Sequence, residues 1–236
     1  MGVGTVSLAA LLAAGDQETE QEAVFLGVQP DDAPLFAVAV DPDDTKLLPE
    51  GARWEDLRKL GPDLEHADAA LLGLARSLVS WNQSVRFCGS CGERTSPRRA
   101  GYSRQCPACS ARFYPRLDPA IIVLVTHGDY CLLARNKRWD AGRFSLLAGF
   151  AEVCETLEMA VVREVAEETG VGLDPASVRF IASQPWPFPS SLMMGFSAHV
   201  LPPAAATSAD GGPPYAAADA LPPVTPVCMA RLLPSP

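Results

Sequence analysis

The spacing of apolar residues changes period along the chain, and each change marks an expected element. Residues 23–28 and 35–40 are short apolar runs on either side of the turn-forming Pro30-Asp31-Asp32, and they predict a pair of strands. Residues 54–60 predict a short helix. A longer one is expected over residues 65–81, where Ala67, Leu71, Leu74, Ala75 and Leu78 recur at helical spacing. Strand character returns at residues 120–126 and 130–135, which predict a hairpin across His127-Gly128-Asp129. A short apolar stretch at residues 144–148 then leads into an amphipathic helix. That helix is expected to start near Thr156, a good N-cap, and to stop at Gly170, suited to the C′ position. Val161, Val162 and Val165 would pack one face of it on the sheet. Residues 201–226, rich in Pro and Ala, have the composition of a flexible linker.

Composition narrows the class. At 236 residues with 48% hydrophobic and 20% charged, the chain can bury a sizeable core, split between two small domains. A formal net charge of −9 argues against a broad, nonspecific nucleic-acid surface and leaves room only for a local basic patch. No apolar run approaches the roughly 18 residues a membrane helix needs, so no membrane partner is expected. The apolar stretch at residues 3–14 lacks a basic flank and is followed by acidic residues, which argues against a secretory signal. The C-terminal Leu-Leu-Pro-Ser-Pro is not a peroxisomal address. Residues 1–80 hold no catalytic constellation and read as a scaffolding or dimerising domain.

Cysteine usage points to a metal. The seven cysteines are an odd count for disulfides, and four of them form Cys88-x-x-Cys91 and Cys106-x-x-Cys109, fourteen residues apart. Four thiolates can close a tetrahedral shell around Zn²⁺ and leave no position for water, so this ion would be structural. A redox pair or free core cysteines are the alternatives. A reducing, cytoplasmic setting is expected. Arg94, Arg98, Arg99 and Arg104 in the same region could contact RNA or simply face solvent. Cys131, Cys154 and Cys228 lack partners at metal spacing and are taken as small apolar residues.

The second chemical signal runs from Gly149 to Val171. Glu164, Glu167 and Glu168 are spaced i, i+3 and i+4, which puts them on one helix face, and Glu155 precedes them. Like charges at this spacing oppose a bare helix by a few tenths of a kcal/mol per pair, roughly, and a hard divalent cation would remove that penalty. The bland alternative is a solvated acidic face with Arg163 as counter-ion.

This stretch resembles the Nudix box, G-x5-E-x7-R-E-U-x-E-E-x-G-U with U aliphatic, and matches it at Gly149, Glu155, Arg163, Glu164, Val165, Glu167, Glu168, Gly170 and Val171. Downstream, Ser183-Gln184-Pro185-Trp186-Pro187-Phe188-Pro189-Ser190-Ser191 resembles the SQPWPFPxS signature of the NADH pyrophosphatase subfamily, whose zinc ribbon also sits just before the Nudix domain. The resemblance covers residues 85–200 well and residues 1–84 in outline.

It implies an α+β chain: a Nudix α/β/α sandwich with a mixed sheet, preceded by a zinc ribbon and a small N-terminal α+β domain. The expected divisions are an N-terminal domain (1–84), the ribbon (85–116), the Nudix domain (117–200), the linker (201–225) and a C-terminal remnant of the Nudix domain (226–236). Glu164 and Glu168, helped by Glu167 and the carbonyl of Ala148, would hold Mg²⁺ or Mn²⁺, and Arg163 would hold the glutamates in place. Substrate contacts are implied for Tyr114, Phe150, Gln184, Pro185, Trp186, Pro187, Phe188, Pro189, Ser190, Ser191 and Ala230. The implied reaction is hydrolysis of NADH or NAD⁺ to AMP and (reduced) nicotinamide mononucleotide by a homodimer. Family members also occur in peroxisomes and plastids, which stand as alternatives to the cytoplasm. Removal of the NAD cap from RNA is the alternative reaction.

One departure stands out. The family continues with a Glu-Leu-x-x-Ala-x-Trp-Phe segment whose glutamate joins the metal site, yet Glu168 is the last glutamate in this chain. Asp210 and Asp219, the acidic residues of the linker, have no matching context. Weaker metal binding, reduced activity, or a nucleotide-binding zinc-ribbon protein without hydrolysis is therefore a further expectation.

Overall fold

The computed structural model describes residues 22–40, 53–201 and 227–231, the last as backbone. The apolar residues 3–14 and nearly all of the expected linker lie outside these. The chain divides into two compact units.

The first unit takes residues up to Leu117 together with Trp186–Ser190. Strands β1 (Val24–Val28) and β2 (Pro34–Ala37) pair antiparallel around the expected turn, with Phe25 and Phe36 edge to face at 5.4 Å between centroids. Helix α1 (Leu57–Leu60) begins only after Asp56, whose carboxylate accepts from the Arg58 amide. Helix α2 (His66–Ser84) follows and buries Leu78, Trp81 and Asn82. A three-stranded sheet of β3 (Ser96–Arg98), β4 (Ser103–Gln105) and β5 (Arg112–Phe113) carries the cysteine knuckles.

Arg104 on β4 is wholly buried and binds α2, β4 and the N-terminal hairpin region into one network. Its Nε donates to Thr95 Oγ1 (2.8 Å), Nη1 to Asn82 Oδ1 (3.0 Å), Nη2 to the Thr95 carbonyl (2.9 Å), and it pairs with Glu22. Gly101 has φ +91°, and a Cβ there would meet the Val24 side chain at 2.8 Å. Glycine is required there on both counts.

The second unit comprises Asp118–Pro185 and the chain from Ser191 onward. Its six-stranded sheet is mixed. The order is β11 (Val227–Arg231), β7 (Tyr130–Ala134), β6 (Asp118–His127), β10 (Ser191–His199), β9 (Arg179–Trp186), with β8 (Leu147–Phe150) also on β6. β6 runs parallel to β10 and antiparallel to β7 and β8. Alternate residues Ile121, Val123 and Val125 of β6 are fully buried. Ala160, Val161 and Val165 of helix α3 (Leu157–Thr169) join the same core, and Val162 packs at its margin.

Strands β9 and β10 do not figure in the sequence reading. β9 is exposed throughout, so it carries no alternation to detect, and the Pro-rich turn after it draws attention away from both strands. The chain after the linker does return to the sheet: β11 pairs antiparallel with β7, placing Ala230 opposite Cys131.

Candidate metal and nucleotide site

The acidic centre is built by β8, the loop after it, and α3. Thr156 caps the helix, its Oγ1 accepting from the Met159 amide at 3.2 Å. Gly170 ends it in the left-handed conformation, φ 70°, with its amide on the Ala166 carbonyl at 2.8 Å. Register on β6 sets Ala148 opposite Ile122 and Gly149 opposite Ile121. A Cβ at Gly149 would overlap the Glu164 carboxylate, so glycine here is what lets the strand lie against the helix.

Arg163 is the hub, with its side chain only 7% exposed. Nε and Nη2 form a fork on Glu155 (2.8 and 2.9 Å), Nη1 donates to Glu164 Oε1 and Glu167 Oε2 (3.0 Å each), and Nη2 also reaches the Phe150 carbonyl at 2.9 Å. Every donor nitrogen of the guanidinium is engaged. Glu155 receives a further bond from the Glu152 amide at 2.9 Å. The Arg163 bonds hold the Glu155 carboxyl below its ordinary value, and Glu155 in turn raises the Arg163 value further.

Glu164 and Glu168 behave oppositely. Burial, then neighbouring glutamate charge, pushes both carboxyls up. Glu168 is half-buried and makes no hydrogen bond or ion pair with a described residue. A half-buried carboxylate without a cationic partner, as at Glu168, beside a Glu164 whose second oxygen Arg163 does not engage, suits a hard divalent cation. The three glutamates do not converge tightly, however. Among the described residues only the four cysteines place three or more such donor atoms within 4.8 Å of one another.

Those cysteines fit zinc closely. Sγ separations are 3.6 Å for Cys88–Cys109, 3.5 Å for Cys91–Cys106 and 3.6 Å for Cys91–Cys109. A tetrahedron with Zn–S bonds near 2.3 Å has edges of about 3.8 Å. Amides of Ser90 and Cys91 pull the Cys88 thiol down to about 6, towards the thiolate a metal requires. The zinc ribbon is thus a closed, all-sulfur structural site. The RNA-contact reading of the ribbon arginines needs one correction. Arg104 is wholly buried and fully bonded, whereas Arg98 and Arg99 are exposed.

The other expected substrate residues fall in both units. In the first, Tyr114 is 57% exposed, and Trp186 and Phe188 stand edge to face with centroids 5.4 Å apart. Pro187 and Ser190 are half-buried there and Pro189 is exposed. In the second, Phe150, Gln184 and Pro185 are exposed, while Ser191 is buried at the head of β10. Sequence reasoning missed Arg58 and Arg76, which lie against Trp186–Phe188. Isolated helix-surface arginines carry no signal of their own.

Three family profiles match the chain. They describe an NADH pyrophosphatase-like rudimentary NUDIX domain over residues 2–81, an NADH pyrophosphatase zinc ribbon domain over 83–114, and a NUDIX domain over 116–207. The NAD-capped RNA hydrolase NudC of Stutzerimonas stutzeri (strain A1501) is 46% identical over 169 residues, covering 71% of this chain and 59% of that protein. The protein of the same name in Mycobacterium bovis (strain BCG / Pasteur 1173P2) is 42% identical over 198 residues, covering 83% and 62%. The chain therefore spans about three fifths of the length of the curated relatives it matches. Among solved structures, a NUDIX hydrolase from Nitrosomonas europaea aligns over 50% of this chain and 69% of its own, at 26% identity and a TM-score of 0.42. With the rudimentary domain, the ribbon and the glutamate box following one another in one chain, this protein belongs to the Nudix family, in its NADH pyrophosphatase branch.

Proposed function

We propose that the chain hydrolyses the diphosphate of NADH or NAD⁺, giving AMP and the reduced or oxidised nicotinamide mononucleotide. The carrying observation is a contrast across α3 and the loop before it: Arg163 anchors Glu155, Glu164 and Glu167, while Glu168 has no partner among the described residues. Arg163 engages one oxygen each of Glu164 and Glu167, which leaves Glu164 Oε2 and Glu167 Oε1 for a ligand. Mg²⁺ or Mn²⁺ held by Glu164, Glu168, Glu167 and the Ala148 carbonyl would stabilise charge on the diphosphate oxygens and lower the pKa of the attacking water. The protein's own part is positioning. Gly149 lets Glu164 lie against β8, and Arg163 fixes the carboxylates in one arrangement. Within the first unit, the exposed rings of Tyr114 and Trp186, with Phe188 beside Trp186, offer flat surfaces to a dinucleotide.

Incubating folded, zinc-loaded protein with NADH and Mg²⁺ should release AMP, and Glu168→Gln should reduce the rate by about 100-fold or more. Absence of AMP would count against hydrolysis. Tight NADH binding without turnover would instead favour a nucleotide-binding protein, in keeping with Glu168 being the chain's last glutamate.

A second reading has its own support. The relatives are named NAD-capped RNA hydrolases, and Arg98 and Arg99 of the ribbon are exposed. Salt-sensitive RNA binding lost in Arg98→Gln/Arg99→Gln would support cap removal from RNA. A homodimer in the reducing cytoplasm completes the proposal, and the solution mass tests the dimer. No helix among the described residues is long and apolar enough to cross a membrane.

A further inference from the structure

Two arginines of the N-terminal region close on the Pro-rich segment that follows β9. Arg58, at the start of α1, places its guanidinium carbon 4.7 Å from the Phe188 ring centroid and 6.0 Å from that of Trp186. Arg76, on α2, lies 5.1 Å from the Phe188 centroid, and its Nε donates to the Pro187 carbonyl at 2.9 Å. One turn earlier on the same face, a Cβ at Gly73 would lie 3.6 Å from Pro187 Cγ, so helix and segment meet without an intervening side chain. All these groups belong to one compact unit. Neither guanidinium has a carboxylate partner among the described residues, so the aromatic faces and the carbonyl are the partners their charge finds.

The segment leaves the sheet at Trp186, the last residue of β9. Pro187 and Pro189 remove backbone donors beyond that point, and the Phe188 amide, bonded to the Trp186 carbonyl at 2.8 Å, closes a turn. Two cations against the Phe188 ring, one of them also near Trp186, and one bond to the Pro187 carbonyl orient the two rings where the chain leaves the sheet.

We propose that Arg58 and Arg76 are positioning residues that hold Trp186 and Phe188 in the arrangement that receives the dinucleotide, making the N-terminal domain part of the specificity machinery. The inference rests on the reading of this segment as a substrate contact. Both arginines are exposed, so Arg58→Met/Arg76→Met should fold.

The test is hydrogen–deuterium exchange of the peptide spanning Ser183–Ser191, with the Kd for NADH measured without divalent metal so that no turnover occurs. The double variant should speed exchange in that peptide, leave α2 exchange unchanged, and weaken NADH binding about fivefold to tenfold. Arg58→Lys should recover part of the affinity, and Lys59→Met, a neighbouring charge loss, should change neither readout. Unchanged exchange in the double variant, or an equal effect from Lys59→Met, would overturn the clamp. Trp186→Ala separates the two levels. If that variant binds NADH as tightly as the wild type, the substrate-contact reading fails and the proposal with it. If Trp186→Ala weakens binding while the double variant does not, only the positioning role fails.

Discussion

Arg163 is explained by the carboxylates it gathers and Gly149 by the Glu164 carboxylate beside it, and both explanations can be tested. Removing the guanidinium in Arg163→Met leaves Glu155 buried without its counter-charge, at a cost of about 3 kcal/mol or more, read by urea unfolding. Gly149→Ala should destabilise as well, because its methyl would occupy the Glu164 carboxylate, and it should weaken Mg²⁺ binding through displacement of that group. The pH dependence follows from the signs. Glu155 is held below its ordinary 4.5, so its bond to Arg163 stabilises the fold above that value and is lost as pH falls through the lowered one. Glu168 is raised, so its ionisation opposes folding at neutral pH and ceases to do so below about 4.5. Glu168→Gln should therefore raise the metal-free Tm at pH 7 by about 1–3 °C, and the gain should vanish near pH 4. Calorimetry at the two pH values checks both signs.

At the scale of elements, the ribbon and the buried arginine behind it should respond differently. One Zn²⁺ per chain is expected by atomic absorption, and Cys106→Ser should abolish it. Chelation should lower the Tm of the intact protein, since metal binding and ribbon folding are one equilibrium. Arg104→Met should cost about 3 kcal/mol or more while leaving zinc stoichiometry unchanged, because the network it breaks lies with Asn82, Thr95 and Glu22 rather than at the sulfurs. Helix α3 was legible in advance from cap to cap: Thr156, the valine face and Gly170 are local signals that chain-neighbour physics enforces. β9 was not legible, because every residue in it is exposed and its place is set by a partner strand rather than by its own pattern.

For the whole molecule, the sequence by itself determined the metal-binding spacings, the helices and the strand pairs β1–β2 and β6–β7. CxxC knuckles and glutamates at i, i+3 and i+4 are spacings that turns and helices convert directly into geometry. The hairpin of β6 and β7 and the capped helix were set the same way, by period and turn chemistry. Only the tertiary structure decided which charges are spent. Arg104, which the sequence does not set apart from Arg94, Arg98 and Arg99, is buried and committed to Glu22 and Asn82. Arg163 is saturated while Glu168 has no partner among the described residues, and Arg58 and Arg76 find aromatic faces more than a hundred residues away in the chain. The reason is range. Spacing encodes contacts within a turn or two of backbone, whereas the pairing of a charge is settled by whatever the fold brings beside it, and burial sets how much that pairing matters.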